Sequence, residues 1–216
     1  MDFTLIIGNR NYSSWSLRGW LVMKLTGAAF NVVVIPLDLP ESRNAIQAHS
    51  AAGKVPILRH GSLTVWDTLA IAEYLAELFP DKHLWPDDTE ARARARSVAS
   101  EMHSGFAALR EHLPMDLRVH ALGGKVGPGV GEDISRINTL WTDCRRRFGG
   151  DGPFLFGDFC IADAFFAPVV GRFRTYGIEL SGEAAAYAEA IWQWPDMQAW
   201  LDAANDEPWV IDTLKP

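Results

Sequence analysis

The sequence predicts an α/β N-terminal domain, with β-α-β followed by β-β-α order, and then an all-α helical bundle domain. The first observation is a change of pattern: short strand-like runs alternate with amphipathic helical runs up to about residue 80, and only helical periodicity follows from Thr89. The second is the length of 216 residues, which is enough for two small domains with a sizeable core. We therefore predict an N-terminal domain over 1–80, a linker over 81–88 and a C-terminal domain over 89–216.

The chain opens with a predicted β-α-β unit. Phe3–Ile7 is a short apolar run that predicts a buried strand, and apolar residues at helical spacing follow from Leu17 until Gly27 provides a C-cap. The β-branched run Asn31–Ile35 predicts the second strand, and a short helix is expected over 42–49.

A predicted hairpin and one helix complete the N-terminal domain. Val55–Leu58 and Leu63–Trp66 flank a turn at Gly61, which indicates two antiparallel strands. Asp67 and Thr68 then open a helix whose apolar residues form one stripe.

The C-terminal domain shows helical patterns only. A glycine-rich segment, Gly123–Gly129, interrupts them and predicts a loop, either on the surface or beside a binding site. The predicted helices cover residues 89–113, 132–148, 161–175, 183–192 and 196–204.

Charge and cysteine content exclude several functional classes. A formal net charge of −7 gives no general attraction for phosphate backbones, so we expect no nucleic-acid partner. Cys144 and Cys160 lie outside any CxxC or zinc-binding spacing, which predicts neither a disulfide framework nor a metal site. Without an apolar run of about 18 residues or a signal-peptide pattern, we expect a cytoplasmic protein and no membrane association.

Three stretches resemble motifs of the cytosolic glutathione S-transferase family. "GKVPIL" (53–58) is similar to the family's turn in which valine precedes a cis-proline. "VWDTLAIAEYLAELFP" (65–80) is similar to its acidic-then-hydroxyl motif at the start of the third helix, and "GDFCIADAFFAPVV" (157–170) is similar to its N-capping box. The resemblance covers nearly the whole chain. It implies a thioredoxin-like N-terminal domain, glutathione as co-substrate and a homodimer.

The first two motifs imply a glutathione-binding set. A cis bond at Val55 would leave its backbone free to pair with a peptide, whereas a trans bond would make it an ordinary strand start. Asp67 and Thr68 either cap a helix or, as the resemblance implies, hold the ligand's ammonium and γ-glutamyl carboxylate. The implied glutathione-binding residues are Lys54, Val55, Pro56, Asp67 and Thr68.

The segment "NRNYSSWSLRGWL" (9–21) resembles the thiol-activating "SSCSWRVRIAL" segment of bacterial zeta-like transferases, a class best known as maleylacetoacetate isomerases. A gapless match pairs Trp15 and Arg18 with the family's tryptophan and second arginine, and it places Asn11 at the family's catalytic serine. Ser14, just before Trp15, is also a natural N-cap. The candidate donors to the thiol are, in order, Ser13, Asn11, Ser14 and Tyr12.

A second-substrate pocket is expected between the two domains. The predicted long helix would contribute Met102, His103, Phe106 and Arg110, and a bundle helix would contribute Arg172 and Arg174. The arginine pair would suit an acidic substrate. His103 has no carboxylate partner that the sequence identifies.

Four further residues are candidates for ligand binding or for structural roles. Arg10 is a candidate for binding a ligand carboxylate, and Arg18 for an ion pair at the domain interface. Cys160 and Asp163 have the spacing of an N-capping box, although a cysteine at a helix N-terminus can also be reactive.

The predicted function is a glutathione S-transferase that activates the glutathione thiol for attack on a small electrophile. Two alternatives remain, a zeta-like glutathione-dependent cis-trans isomerase and a non-catalytic binding protein with this fold. Dehalogenation also stays open, because that reaction would need the same glutathione thiolate. A disulfide reductase is disfavoured because the activating segment has no cysteine.

Overall fold

The computed structural model describes residues 2–123 and 127–212, so part of the predicted glycine-rich loop, residues 124–126, lies outside the described residues. The strands are β1 (Phe3–Ile7), β2 (Phe30–Val34), β3 (Ile57–His60) and β4 (Leu63–Trp66). The helices are α1 (Ser14–Leu25), α2 (Ser42–Gln47), α3 (Thr68–Leu78), α4 (Thr89–Ser104), α5 (Ala107–His112), α6 (Val130–Phe148), α7 (Ile161–Tyr176), α8 (Gly182–Gln193) and α9 (Pro195–Asn205).

The N-terminal domain is a mixed four-stranded sheet with the order β2-β1-β3-β4. β1 pairs parallel with β2 and antiparallel with β3, and β3 pairs antiparallel with β4. This topology confirms the predicted β-α-β and β-β-α order. Alternation along β1 divides the core, because Phe3, Leu5 and Ile7 join the large cluster shared with the helices while Ile6 packs with Ile46 of α2.

The N-cap of helix α1 lies one residue earlier than the sequence predicted. Ser13 is its N-cap, and the Ser13 Oγ accepts a hydrogen bond from the Ser16 N–H at 3.3 Å. Ser14 is therefore the first residue of the helix rather than the residue that caps it.

The predicted helix over 89–113 is two helices. Gly105 is extended and Phe106 has φ 59°, so the chain leaves the helical conformation between α4 and α5. The Arg110 guanidinium donates to the carbonyl oxygens of Gly105 and Met102, which satisfies acceptors at the end of α4.

The two domains meet where α1 packs against α7. Arg18 is fully buried at this contact, its Nε donates to the Phe165 carbonyl at 2.9 Å, and its guanidinium carbon lies 4.6 Å from the centre of the Trp15 ring. The expected interface position is found, but the expected ion pair is not, because the contacts of Arg18 within the described residues are a carbonyl and aromatic rings.

The N-terminus of α7 carries a buried capping box. Asp163 accepts hydrogen bonds from the backbone N–H of Cys160 at 2.9 Å and of Leu155 at 3.1 Å. Burial raises the pKa of the Cys160 thiol well above its usual value, so this thiol stays protonated at neutral pH. Its sulfur accepts the backbone N–H of Asp163, which is the other half of the capping box.

The same burial raises the pKa of Asp163 to about 6 from an ordinary value of 3.8. A group whose pKa is higher in the folded protein stabilises the fold fully below the unfolded pKa and loses this contribution as pH rises through the folded pKa. We predict that wild type loses about 3 kcal/mol of unfolding free energy relative to Asp163→Asn as the pH rises from 3.5 to 7.

Denaturant unfolding at a series of pH values measures this difference. The amide keeps the size of the side chain but only one of its two acceptor oxygens, a loss that does not depend on pH, so the change with pH reports the ionisation. Parallel stability curves for the two proteins would show that Asp163 does not titrate in this window.

Candidate active site

A cavity of about 900 Å³ opens at the junction of four segments. They are the start of α1, the turn before β3, the junction of β4 and α3, and the end of α4. The cavity brings together nine of the residues singled out in the sequence, namely Tyr12, Ser13, Ser14, Lys54, Val55, Pro56, Asp67, Thr68 and His103. Three separate sequence motifs therefore face one space.

Two hydroxyl groups lie at the start of α1, each with a different partner. The Ser13 Oγ is 2.7 Å from the Ser16 Oγ, which also accepts the Gly8 N–H at 3.0 Å. The Ser14 Oγ accepts a hydrogen bond at 3.2 Å from the Arg172 guanidinium of α7. Both serines line the cavity.

The turn before β3 presents unpaired backbone to the cavity. The peptide bond between Val55 and Pro56 is cis, as the family resemblance implied. No described residue makes a hydrogen bond with the Val55 N–H or C=O. These groups form a free edge at which a second peptide backbone can pair.

The start of α3 combines a carboxylate with free helix amides. Asp67 caps the helix, because its Oδ1 accepts the Leu69 N–H at 2.8 Å, and its backbone has φ 75°. The N–H groups of Thr68 and Ala70 have no partner among the described residues. A non-glycine residue with positive φ at a helix N-terminus is typical of a functional position, and the free amides suit an anionic group.

His103 joins the two domains at this end of the cavity. Its Nε2 lies 3.3 Å from Asp67 Oδ2, and its Nδ1 lies 3.4 Å from Thr68 Oγ1. The ring also meets the edge of Trp15 at a centroid distance of 5.2 Å. The sequence did not reveal the carboxylate partner, because α3 and α4 come together only in the folded chain.

Asn11 does not face the cavity. It is fully buried, its Nδ2 donates to Asp116 Oδ1 at 2.8 Å, and its Oδ1 accepts the Arg118 N–H at 3.0 Å. One of the two N–H groups of its amide is used by Asp116, and the fully buried side chain does not line the cavity, so the other has no access to a ligand there. The structure therefore removes Asn11 from the candidate donors.

Most of the predicted second-substrate residues also lie elsewhere. Met102 and Phe106 are buried in the core, and Arg110 closes the end of α4. Arg172 bonds to the Leu113 carbonyl and to Ser14, and Arg174 pairs with Glu189 beside another cavity. The break after α4 explains part of this difference, because Phe106 and Arg110 no longer continue the helical face that carries His103.

Arg10 is also committed to the protein itself. Its backbone N–H and its guanidinium both donate to the Glu207 carboxylate, at 2.8 and 2.9 Å. The expected role in binding a ligand carboxylate is therefore not supported, since a carboxylate of the chain occupies that place.

Several lining residues were not predicted. Trp66 stands at the mouth of the cavity with 54% of its surface exposed, and its place directly before Asp67 was a usable signal, since exposed tryptophan often marks a contact surface. The other unpredicted lining residues are Trp15, Leu37, Ile46, Ala52, Gly53 and Ser104.

Within the described residues, no group of His, Cys, Asp or Glu is placed to hold a metal, and none of the helices has the length and apolar character of a membrane span.

Comparison with known proteins identifies the family. Models of the glutathione S-transferase N-terminal and C-terminal domains match residues 12–78 and 88–205. The chain belongs to the glutathione S-transferase family. This membership, together with the thioredoxin-like N-terminal domain, identifies the protein as a glutathione transferase enzyme.

Relatives of several kinds match over most of the chain. Glutathione S-transferase L1 of Arabidopsis thaliana is 24% identical over 87% of this chain and 72% of that protein. A probable maleylacetoacetate isomerase of Caenorhabditis elegans is 26% identical over 80% of this chain and 79% of its own. The similar identities support the family and give only weak support to the zeta class.

Solved structures give the same fold. The crystal structure of a glutathione transferase homologue from Burkholderia, with bound glutathione, is 26% identical and has a TM-score of 0.72, covering 96% of this chain and 100% of that one.

The buried contacts of Asn11 lead to a test. We predict that Asn11→Ala lowers the free energy of unfolding by about 1–3 kcal/mol, because it removes two buried hydrogen bonds and leaves the Asp116 carboxylate and the Arg118 N–H only their longer bond to each other, at 3.2 Å. Denaturant unfolding measures the loss. The same variant should bind glutathione with an unchanged thiol pKa, because Ser13 and Ser14 keep their own hydrogen bonds to Ser16 and Arg172. An intact stability with a raised thiol pKa would place Asn11 at the ligand instead.

Proposed function

We propose that the cavity binds glutathione and that the protein catalyses attack of the glutathione thiolate on a small electrophile. The observation that carries the proposal is the convergence of three features: free backbone at Val55, free amides beside Asp67 at the start of α3, and hydroxyls at the start of α1. Each suits a different part of one tripeptide. The glutathione-bound Burkholderia homologue supports the choice of ligand.

The polar groups suit an extended glutathione molecule. The N–H and C=O of Val55 pair with the backbone of its cysteinyl residue, as in strand addition. Its γ-glutamyl carboxylate lies at the free amides and hydroxyl of Thr68, and its ammonium lies at the Asp67 carboxylate. Lys54 lines the same cavity and provides a cation for the remaining carboxylate.

Activation of the thiol needs only a modest stabilisation. A thiol with a pKa of about 8.5 is about 3% ionised at pH 7, and lowering the pKa by two units requires about 2.7 kcal/mol. One hydrogen bond to a charged group supplies about 1.5–3 kcal/mol, and a helix N-terminus adds up to about 1 kcal/mol. A donor at the start of α1 therefore suffices.

Ser13 is our first choice as this donor. In the structure the Ser13 hydroxyl donates to the Ser16 Oγ, which also accepts the Gly8 N–H. When the sulfur binds, the Ser13 hydroxyl turns toward it, and the Ser16 hydroxyl donates to the Ser13 Oγ in its place. Ser13 then has its own hydrogen available for the sulfur, and the chain of hydrogen bonds polarises it. The resulting thiolate attacks an electrophilic carbon, forming a carbon–sulfur bond as a leaving group departs or a double bond accepts the electron pair.

An isomerase related to the zeta class is the second candidate. The similarity to the probable maleylacetoacetate isomerase favours it. In that reaction the thiolate would add to a cis double bond, allow rotation and leave again. Turnover of a cis-enedione with catalytic glutathione would support this candidate, and conjugation without isomerisation would exclude it.

We further propose a cytoplasmic homodimer that acts in detoxification. The exposed side chain of Trp66, at the end of the edge strand β4, supports a contact with a second copy beside the mouth of the cavity. A monomeric mass in light scattering at micromolar concentration would contradict the dimer.

The proposed function predicts a shifted thiol pKa. Bound to wild type, the glutathione thiol should ionise near neutral pH, and Ser13→Ala should raise its pKa by about one to two units because a charged hydrogen bond is lost. The ultraviolet absorbance of the thiolate, followed against pH with saturating glutathione, measures both values.

Ser62→Ala is the matched control, because Ser62 is an exposed serine in the turn between β3 and β4. It should leave the thiol pKa unchanged. Glutathione that binds wild type with an ordinary thiol pKa would overturn the proposed activation, and a shift that survives in Ser13→Ala would assign it to another group.

A further inference from the structure

Arg172 connects the helical domain to the cavity through one side chain. It belongs to α7 and is 6% exposed. Its Nη1 donates to the Leu113 carbonyl, and its Nη2 donates to the Ser14 Oγ at 3.2 Å. The guanidinium thus stands behind a hydroxyl that lines the cavity.

The surroundings of this guanidinium carry positive charge. Within the described residues no carboxylate pairs with Arg172. After burial, the charge of Arg110 is the next cause that lowers the pKa of Arg172, and the charges of Arg110 and Arg172 likewise add to burial in lowering the pKa of Arg18. Arg18 and Arg110 also stand over the Trp15 ring, at 4.6 and 4.8 Å from its centre. Burial lowers the pKa of Arg172 to about 10, so this side chain is still charged at neutral pH.

The bond from Arg172 determines what Ser14 can do. A serine oxygen has two lone pairs and one hydrogen, and the guanidinium N–H occupies a lone pair. Within the described residues Arg172 is the partner of the Ser14 Oγ, so the hydroxyl hydrogen is left to point into the cavity. A cationic donor on the oxygen also makes the O–H group a stronger donor.

We propose that Arg172 is a positioning residue that orients and polarises the Ser14 hydroxyl as a second hydrogen-bond donor to the glutathione thiolate. The inference rests on the proposed function, which places the sulfur at the start of α1. It replaces the acidic-substrate role expected from the sequence, because the guanidinium is held behind Ser14 and does not line the cavity. Activation of the thiol then requires both domains.

A double-mutant cycle tests the connection through Ser14. The pKa of bound glutathione is measured from its thiolate absorbance in wild type, Ser14→Ala, Arg172→Gln and the double variant. We expect each single substitution to raise the pKa by about one unit, a tenfold change in the ionisation constant. The double variant should match Ser14→Ala, because Arg172 acts through the hydroxyl that is already missing.

Stability separates positioning from a general structural role. Arg172→Gln also removes the bond to the Leu113 carbonyl, so it should lower the unfolding midpoint whether or not Ser14→Ala is also present. Its effect on the thiol pKa should appear only while Ser14 is intact. Arg172→Lys keeps the charge and should restore part of the pKa shift. Arg174→Gln, on the same helix but paired with Glu189, is the matched control and should change nothing at the thiol.

Four results would overturn the inference. An unchanged thiol pKa in Ser14→Ala would show that this hydroxyl does not reach the sulfur. The test is clean because this variant keeps the Arg172 bond to the Leu113 carbonyl. A shift from Arg172→Gln that persists without Ser14 would assign the effect to the direct field of the charge. If Ser13→Ala shifts the thiol pKa and the Ser14 and Arg172 variants do not, the proposed function stands without this second donor. An ordinary thiol pKa in wild type would contradict both the proposed activation of the thiol and the role of Arg172.

Discussion

The active site depends on how the start of α1 is held against the helical domain. The hydrogen bonds that cross the boundary there include those from Arg172 to Ser14, from Asn11 to Asp116 and from Arg18 to the Phe165 carbonyl. All of these side chains are buried, so an unmade bond would leave a desolvated polar group without a partner. Because this cost falls on any displacement of α1, the hydroxyls at its N-terminus keep a fixed position.

The ligand-facing groups are left free because they lie where regular structure ends. β3 begins after the cis-proline, so the Val55 backbone is outside the sheet ladder, and the first turn of α3 has amides that no preceding carbonyl can reach. The cavity thus collects the unpaired donors and acceptors of three chain segments. A peptide with two carboxylates, an ammonium and a thiol can use all of them, which links the fold to the choice of co-substrate.

Local patterns predicted the elements of this fold well. Short apolar and β-branched runs indicated the strands, and the Asp67-Thr68 pair marked the start of α3. The cis bond at Val55 came only from the family resemblance, because spacing alone does not distinguish it from a trans bond. The break at Gly105 and Phe106 was missed, since the apolar pattern continues across it.

Tertiary contacts explain the remaining differences at the site. Asn11 aligns with a catalytic serine in sequence, but its amide is bound to Asp116, which no local pattern could indicate. Arg172 and Arg174 are both arginines of α7, and the sequence does not distinguish their roles. Arg172 reaches the domain interface and Arg174 pairs with Glu189, because they lie on different faces of α7. Residue type predicted the chemistry available, and packing decided which groups reach the ligand.

The most direct measurement is a crystal structure of the protein with glutathione bound. We expect the sulfur within hydrogen-bonding distance of Ser13 Oγ and Ser14 Oγ, the cysteinyl backbone paired with Val55, and the γ-glutamyl group at Asp67 and Thr68. A sulfur atom that contacts neither serine, or a glutathione molecule outside this cavity, would contradict this arrangement.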